Sequence, residues 1–401
     1  MSLNLRPSIS LADTASVDAF SRLRVSNNNI IFTNEFLYDK RPKFWDEQLT
    51  GTGSATFNVN RASVLLEVAA NSDEASRTTR EYFRYLSGQG QQIFLTFVGM
   101  QPQTDVTKRL GYFDPSNGLF LEASAGTLKF VRRTNATGTP VDTPIEQADW
   151  NIDKFDGTGP SGIVLDPSKS HILLIDFQWL GVGRVRFGFD IDGKIFYAHE
   201  ILNANNLDVV YMSSPTLPIR YEISSQGGVG SLEQICAAVN REGGNEDRGV
   251  LTSVTTGLGV GTATTTLRSL ITTRLRTTHL RGNLVPLGAS LLPEGSGVYQ
   301  WQLILNPVLS AAPTTWVSAG VGIEYSLDQA DITFDADSHV LLAGHASATN
   351  QVQAVNQLLG DVNNLLVTAT HTGVRDNLVL AVQKDTGSET VQGTIQILER
   401  Y

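Results

Sequence analysis

The stretch spanning residues 184–201 constrains this chain more than any other. Val185, Phe187, Phe189 and Ile191 alternate with Arg184, Arg186, Gly188 and Asp190, the period of two that marks a strand with one buried face. Asp192-Gly193 follows as a hairpin signal. A three-residue loop with Gly193 in the left-handed position sets Phe189 against Ile195, Phe187 against Tyr197 and Val185 against His199. The other face then pairs Arg184 with Glu200 and Asp190 with Lys194. A two-residue loop would oppose Ile191 to Lys194 and Val185 to Glu200, so the pairing favours the longer loop.

The rest of the chain extends this pattern. Residues 172–180 form a more continuously apolar strand joined through Gly181-Val182-Gly183, which makes a three-stranded meander. Residues 93–98, 119–123 and 127–132 read as further strands. Residues 231–239 remain open: Leu232, Ile235, Cys236 and Val239 have helical spacing, yet Ile235, Ala237 and Val239 alternate. With 401 residues, 36 glycines, 14 prolines and 17% charged residues, the chain is turn-rich and too long for one domain of ordinary size. The expectation is an all-β protein in four parts. Residues 1–44 are an extended N-terminal arm without sustained period, and 45–244 an antiparallel β-sandwich. Residues 245–282 are a threonine-rich linker running into exposed strands. Residues 283–401 are a second β-rich domain, with strands near 299–305, 315–325, 339–346, 365–371, 378–384 and 391–398 and a helix over 350–359.

Charge is uneven along the chain. The total is −10, but residues 1–44 hold Arg6, Arg22, Arg24, Lys40, Arg41 and Lys43 against Asp13, Asp18, Glu35 and Asp39, so the arm is mildly positive. Residues 249–293 contain no acid and carry Arg268, Arg274, Arg276 and Arg281. The acidic total argues against nucleic acid as a partner. Membrane insertion is not expected either, since no apolar run approaches the ~20 residues of a spanning helix. Cys236, the single cysteine, has no internal disulfide partner and reads as a small buried residue of a protein made in a reducing cytoplasm.

Chemical motifs are weak. The segment from Gly188 to Lys194 has phosphate-loop spacing, but Ile195 stands where the magnesium-holding hydroxyl belongs and a hairpin is better supported. Gly257, Gly259 and Gly261 lack the remaining glycine of a dinucleotide fingerprint. Asn151, Asp153, Asp156 and Gly157 resemble a calcium loop, but Phe155 and Gly162 occupy ligand positions, leaving an Asp/Gly turn as the better reading. His199-Glu200 lacks the second histidine of a zinc helix, so His199 reads as a packed strand residue. Asp114, Glu122, Asp176, Asp190 and Glu200 are the carboxylates from which a glycosidase pair would have to come. Trp45, Trp150, Trp179, Trp301 and Trp316 read as core residues more readily than as sugar platforms. Neither catalytic residues nor a cofactor or metal site is expected.

Six segments, spanning residues 18–26, 109–114, 150–162, 175–189, 197–201 and 217–222, carry a resemblance. DAFSRLRVS at 18–26 and WLGVGRVRFGF at 179–189 are the most distinctive. Together they are similar to a family of tailed-bacteriophage virion structural proteins, over about residues 15–244. The paired strands also resemble concanavalin-like and laminin-G-like sandwiches at the level of fold. The resemblance implies a non-enzymatic virion component of the head, neck or tail, assembled through its arm and located in the particle. It implies a homo-oligomer, with a trimer favoured, and other virion proteins as partners. The residues singled out for assembly are Phe20, Arg22 and Arg24 in the arm, and Arg268, Arg274, Arg276 and Arg281 in the acid-free stretch. The alternative is a receptor-binding lectin-like or glycan-degrading tail spike whose partner is a host surface glycan.

Overall fold

The computed structural model describes residues 17–18, 28–243, 249–347 and 366–401. The chain divides into two compact units, residues 1–79 with 83–246 and residues 80–82 with 247–401. Phe20, Arg22, Arg24 and the helix expected over 350–359 lie outside the described residues.

The first unit contains β1 (Asn28–Glu35), β2 (Trp45–Thr50), β3 (Ser54–Asn58), β4 (Ser63–Val68), β5 (Glu74–Thr79), β6 (Gln91–Val98), β7 (Val106–Phe113), β8 (Gly118–Ser124), β9 (Thr127–Thr134), β10 (Val141–Glu146), β11 (Ser170–Phe177), β12 (Val185–Ile191), β13 (Lys194–Ile201), β14 (Ile219–Ser225) and β15 (Gly230–Glu242). One sheet runs β13-β12-β11-β6-β15-β4-β3, with β1 also paired to β15, and the other runs β10-β9-β8-β7-β14-β5-β2. All pairings between these strands are antiparallel. Leu95, Leu173 and Phe187 of the first sheet share one buried cluster with Leu110, Leu121 and Tyr221 of the second, so the sheets face each other as a sandwich. Phe130 anchors the centre, with ring centroids 4.3 Å from Trp150 and 4.4 Å from Phe187.

Two expectations change here, and one open reading is resolved. Residues 28–35 belong to the sandwich, not to an arm: β1 pairs with the C-terminal half of β15 and brings Phe32 and the following Phe36 into the core. The open segment 231–239 is a strand whose register shifts between Gln234 and Ala237. Buried positions run Leu232 and Gln234 before that shift, and Ala237 and Val239 after it. One bulge therefore explains why two periods fitted. The hairpin closes with a two-residue loop, not three. Asp192 and Gly193 both take positive φ, 54° and 76°, and Ile191 opposes Lys194. A bulge between Phe187 and Gly188 then restores the match, so that Phe187 faces His199 and Val185 faces Ile201.

The second unit contains β16 (Val250–Thr255), β17 (Gly261–Ala263), β18 (Arg268–Leu275), β19 (Asn283–Pro293), β20 (Val298–Leu305), β21 (Val308–Leu309), β22 (Val317–Ala319), β23 (Ile323–Ser326), β24 (Ile332–Thr333), β25 (His339–Ser347), β26 (Leu378–Lys384) and β27 (Glu389–Arg400). β16, β17 and β19 all pair with β27, while a six-stranded sheet runs β22-β23-β18-β26-β20-β25. Their facing residues, among them Leu270, Trp301, Leu380, Ile395 and Ile397, make a second core. The threonine-rich stretch does form strands, and β16 is largely exposed as expected, but β18 is not exposed: its Thr272 and Thr273 are wholly buried. Residues 315–325 divide into β22 and β23 around Gly320, and 367 and 369 make only isolated bridges.

Candidate functional site

The register of the hairpin, turn and bulge together, decides which side chains meet. On β11, Leu173, Ile175 and Phe177 enter the core, so Asp176 points to the outer face of its sheet. Arg186 on β12 is directly opposite Asp176 and takes the same face. The two-residue turn sets Tyr197 of β13 opposite Gly188 and so outward as well, where the expected register placed it inward against Phe187, and the bulge beyond it brings Glu200 opposite Arg186 on the same face. Gly188 is required there because a Cβ would lie 2.5 Å from the Phe196 carbonyl oxygen.

These three side chains form a compact polar cluster. Arg186 Nη2 donates to Asp176 Oδ2 at 2.6 Å, and Tyr197 Oη donates to the same oxygen at 2.7 Å. The Arg186 guanidinium also lies over the Tyr197 ring, 4.2 Å from its centroid. Although they stand on an outer face, Asp176 and Arg186 are 0% exposed. The described residues that cover them are Val17 and Asp18, themselves 3% and 2% exposed. Arg186 Nη2 donates to the Val17 carbonyl oxygen at 2.8 Å, and Arg184 Nη2 to that of Asp18 at 3.3 Å. Arg184 Nη1 is held by Glu200 Oε2 at 3.2 Å. Two arginines of the WLGVGRVRFGF segment thus grip the main chain where the DAFSRLRVS segment begins.

The other carboxylates named from sequence disperse. Asp114 accepts the backbone N–H groups of Ser116 and Asn117, organising a turn. Glu122 pairs with Arg109 at 2.7 Å, and Arg109 also holds Glu222 at 2.9 Å. Asp190 is half-buried on β12. Asp176 and Glu200 come into one cluster, each bound by its own arginine.

Of the acid-free arginines, Arg268 pairs with Asp331 at 3.1 Å. Arg274 binds Glu324 at 2.7 Å and stacks on Trp316, 3.4 Å from its ring centroid. Arg276 donates to the Val321 carbonyl at 3.1 Å, and Arg281 is half-buried. Acids distant in sequence therefore neutralise part of the strip.

The calcium-like loop is a turn. Asp153 accepts the N–H groups of Phe155 and Ser161, and Asp156 those of Thr158. Among the described residues no group of three or more His, Cys, Asp or Glu side chains is arranged to hold a metal. Beside this turn an open groove of about 290 Å³ is lined by Ile152, Asp153, Pro160, Ser161, Ile195, Phe196 and Tyr197. Trp45, Trp150 and Trp301 are buried core residues, while Trp179 and Trp316 are half-buried. Cys236 is half-buried on β15, more open than expected, and burial raises its thiol pKa. No helix among the described residues is long and apolar enough to cross a membrane.

His199 is packed as expected, with Nδ1 accepting the Asn151 N–H at 3.2 Å. Burial lowers its pKa to about 4, opposed by the nearby Asp149 charge. The unfolded chain, with an ordinary histidine near 6.5, takes up the proton first. Stability from this site is therefore full above pH ~6.5 and falls as pH drops toward 4. After allowance for solvent screening, a urea midpoint series should show wild type losing ~1–2 kcal/mol more than His199→Gln between pH 7 and 4.5. Parallel curves for the two proteins would contradict this.

No protein-family model and no curated protein matches the chain. Solved structures are similar at the level of strand arrangement. A protein of unknown function from Shewanella oneidensis aligns at 8% identity with a TM-score of 0.36, covering 59% of this chain and 97% of that one. An endo-1,3-beta-glucanase from Streptomyces sioyaensis aligns at 10% identity and TM-score 0.37, covering 59% and 100%. A legume lectin-like domain from Entamoeba histolytica aligns at 12% identity and TM-score 0.31, covering 53% and 98%.

Proposed function

We propose that this chain is a structural subunit of a tailed-phage particle, joined to its neighbours through its N-terminal segment. One observation carries the reading: the two most distinctive segments of the resemblance meet in space, where Arg184 and Arg186 hold the backbone of Asp18 and Val17. A buried ion pair on an outer sheet face makes physical sense if a chain segment has to lie there. The subunit is a homo-oligomer in this reading, with a trimer the favoured state, and sedimentation of the purified protein measures it.

The test is a pair of truncations. Removing residues 1–27 should leave a folded body that no longer joins particles. Removing residues 1–44 should unfold it, because β1, Phe32 and Phe36 leave the core and two buried aromatic side chains are worth ~3–5 kcal/mol each. Particle incorporation of the 28–401 chain at the wild-type level, read by mass spectrometry of purified particles, would refute the role of the segment.

A second reading is a host-glycan binding or glycan-cleaving spike. The groove beside Asp153 and Phe196 favours it, since two aromatic residues, Phe196 and Tyr197, line an open trough. Binding of the purified protein to host cells, or sugar release from host polysaccharide, would support that reading. Neither appearing would leave the structural role.

A further inference from the structure

We infer that the Arg184–Arg186 cradle is an exchange site, filled in the assembled oligomer by residues 17–18 of a second copy of this chain. The inference rests on the assembly reading above and names the partner of that same site. Its first ground is the kind of recognition. Both arginines donate to main-chain carbonyl oxygens, of Val17 at 2.8 Å and Asp18 at 3.3 Å, so the grip is equally available to the same segment of any copy.

The second ground is preorganisation. Arg186 is fixed by Asp176 and by the Tyr197 ring, and Arg184 by Glu200, all carried on β11, β12 and β13 of one rigid meander. The described residues that fix the two arginines belong to the body, so the cradle is ready whichever chain supplies the occupant. The third ground is reach. Asn28, where β1 begins, pairs with Glu242 of β15, and β1 is four ladder steps from β12 in the sheet order, or ~19 Å at the usual strand spacing. Residues 19–27 span up to ~30 Å when extended. A terminal segment with that surplus of connecting chain meets the condition for swapping between copies at little cost, since the same contacts form in either arrangement.

The test uses full-length chains in a Cys236→Ser background. One chain carries Asp18→Cys and the other Glu200→Cys, with different affinity tags, and the two are co-expressed. A short bismaleimide can then join these positions only across copies. The expected result is a mixed product of twice the chain mass that is captured by both tags and is lost when Arg184 and Arg186 are both changed to Ala. Both cysteines placed on one chain serve as the folding control, because a product of either kind shows that the substituted chains fold with the cradle filled. Product confined to single chains, with no mixed dimer at any protein concentration, overturns the inference. The two readings fail separately: a protein present in particles but linked only within chains loses exchange and keeps its structural role. A protein linked across copies but absent from particles does the reverse.

Discussion

Replacing Arg186 by Met should destabilise the first unit by ~3–5 kcal/mol, because it takes the arginine charge away from the buried Asp176 carboxylate. Asp176 keeps the Tyr197 hydroxyl at 2.7 Å but loses the 2.6 Å charge-assisted bond from Arg186. The loss also removes the 2.8 Å contact to Val17, so the N-terminal segment should detach along with the drop in stability. The double variant Asp176→Asn/Arg186→Met leaves no unpaired charge and should recover a large part of the deficit. Arg184→Met provides the contrast. Its ion pair with Glu200 is half-open to solvent, so ~1 kcal/mol or less is expected. Urea unfolding followed through Trp45 and Trp150, both in the first core, separates these cases. A single Arg186→Met variant no weaker than Arg184→Met would show that the buried pair is not what supports the meander.

The second large effect is expected at Glu399. Its side chain is fully buried on β27, and its Oε2 accepts the N–H groups of Val321 at 3.2 Å and Gly322 at 2.6 Å. Its other oxygen accepts the Thr252 hydroxyl of β16. This carboxylate therefore closes the β22–β23 turn from inside the unit. Gly320 at that turn has φ 55°, and a Cβ there would overlap the carboxylate, so glycine is needed for both reasons. Glu399→Ala leaves two buried donors, the Gly322 N–H and the Thr252 hydroxyl, and the part-buried Val321 N–H without their acceptor, and ~2–4 kcal/mol should be lost. Glu399→Gln, which keeps one acceptor oxygen and the shape, should cost roughly half as much. Hydrogen exchange reads the local effect directly, since the Val321 and Gly322 amides should lose protection before the rest of the unit. Unchanged protection at both amides in Glu399→Ala would sink this account.

Most strands were legible as short apolar, β-branched or aromatic runs between turn residues. Residues 93–98, with alternate residues buried, and 119–123 and 378–384, buried nearly throughout, are all strands with nearly the expected bounds. Illegible were the places where a long-range partner overrides local pattern. Residues 28–35 have little period of their own and become a strand because β15, running from Gly230 to Glu242, is long enough to pair with β4 along one half and β1 along the other. The threonine-rich stretch looked like exposed connector because threonine is polar, yet β-branched threonines pack well once a sheet closes over them, as at Thr272 and Thr273. Arg268 and Arg274 looked unopposed because their acids, Asp331 and Glu324, come from strands and turns far along the chain.

The hairpin at 184–201 divides the two kinds of information most clearly. Its alternation, its turn residues and its glycine-bounded entry are written in the sequence, since they depend on side chains a few positions apart and on the φ preferences of Asp192 and Gly193. The bulge opposite Phe187 and Gly188 is not, because one extra residue changes the facing of every side chain beyond it at almost no local cost. Only packing of the whole sandwich selects that register. Phe187 and Phe189 pack against Phe130, the two-residue turn sets Tyr197 outward to Asp176 and Arg186, and the bulge adds Glu200 to that face beside Arg184, which together make the cradle that holds Val17 and Asp18.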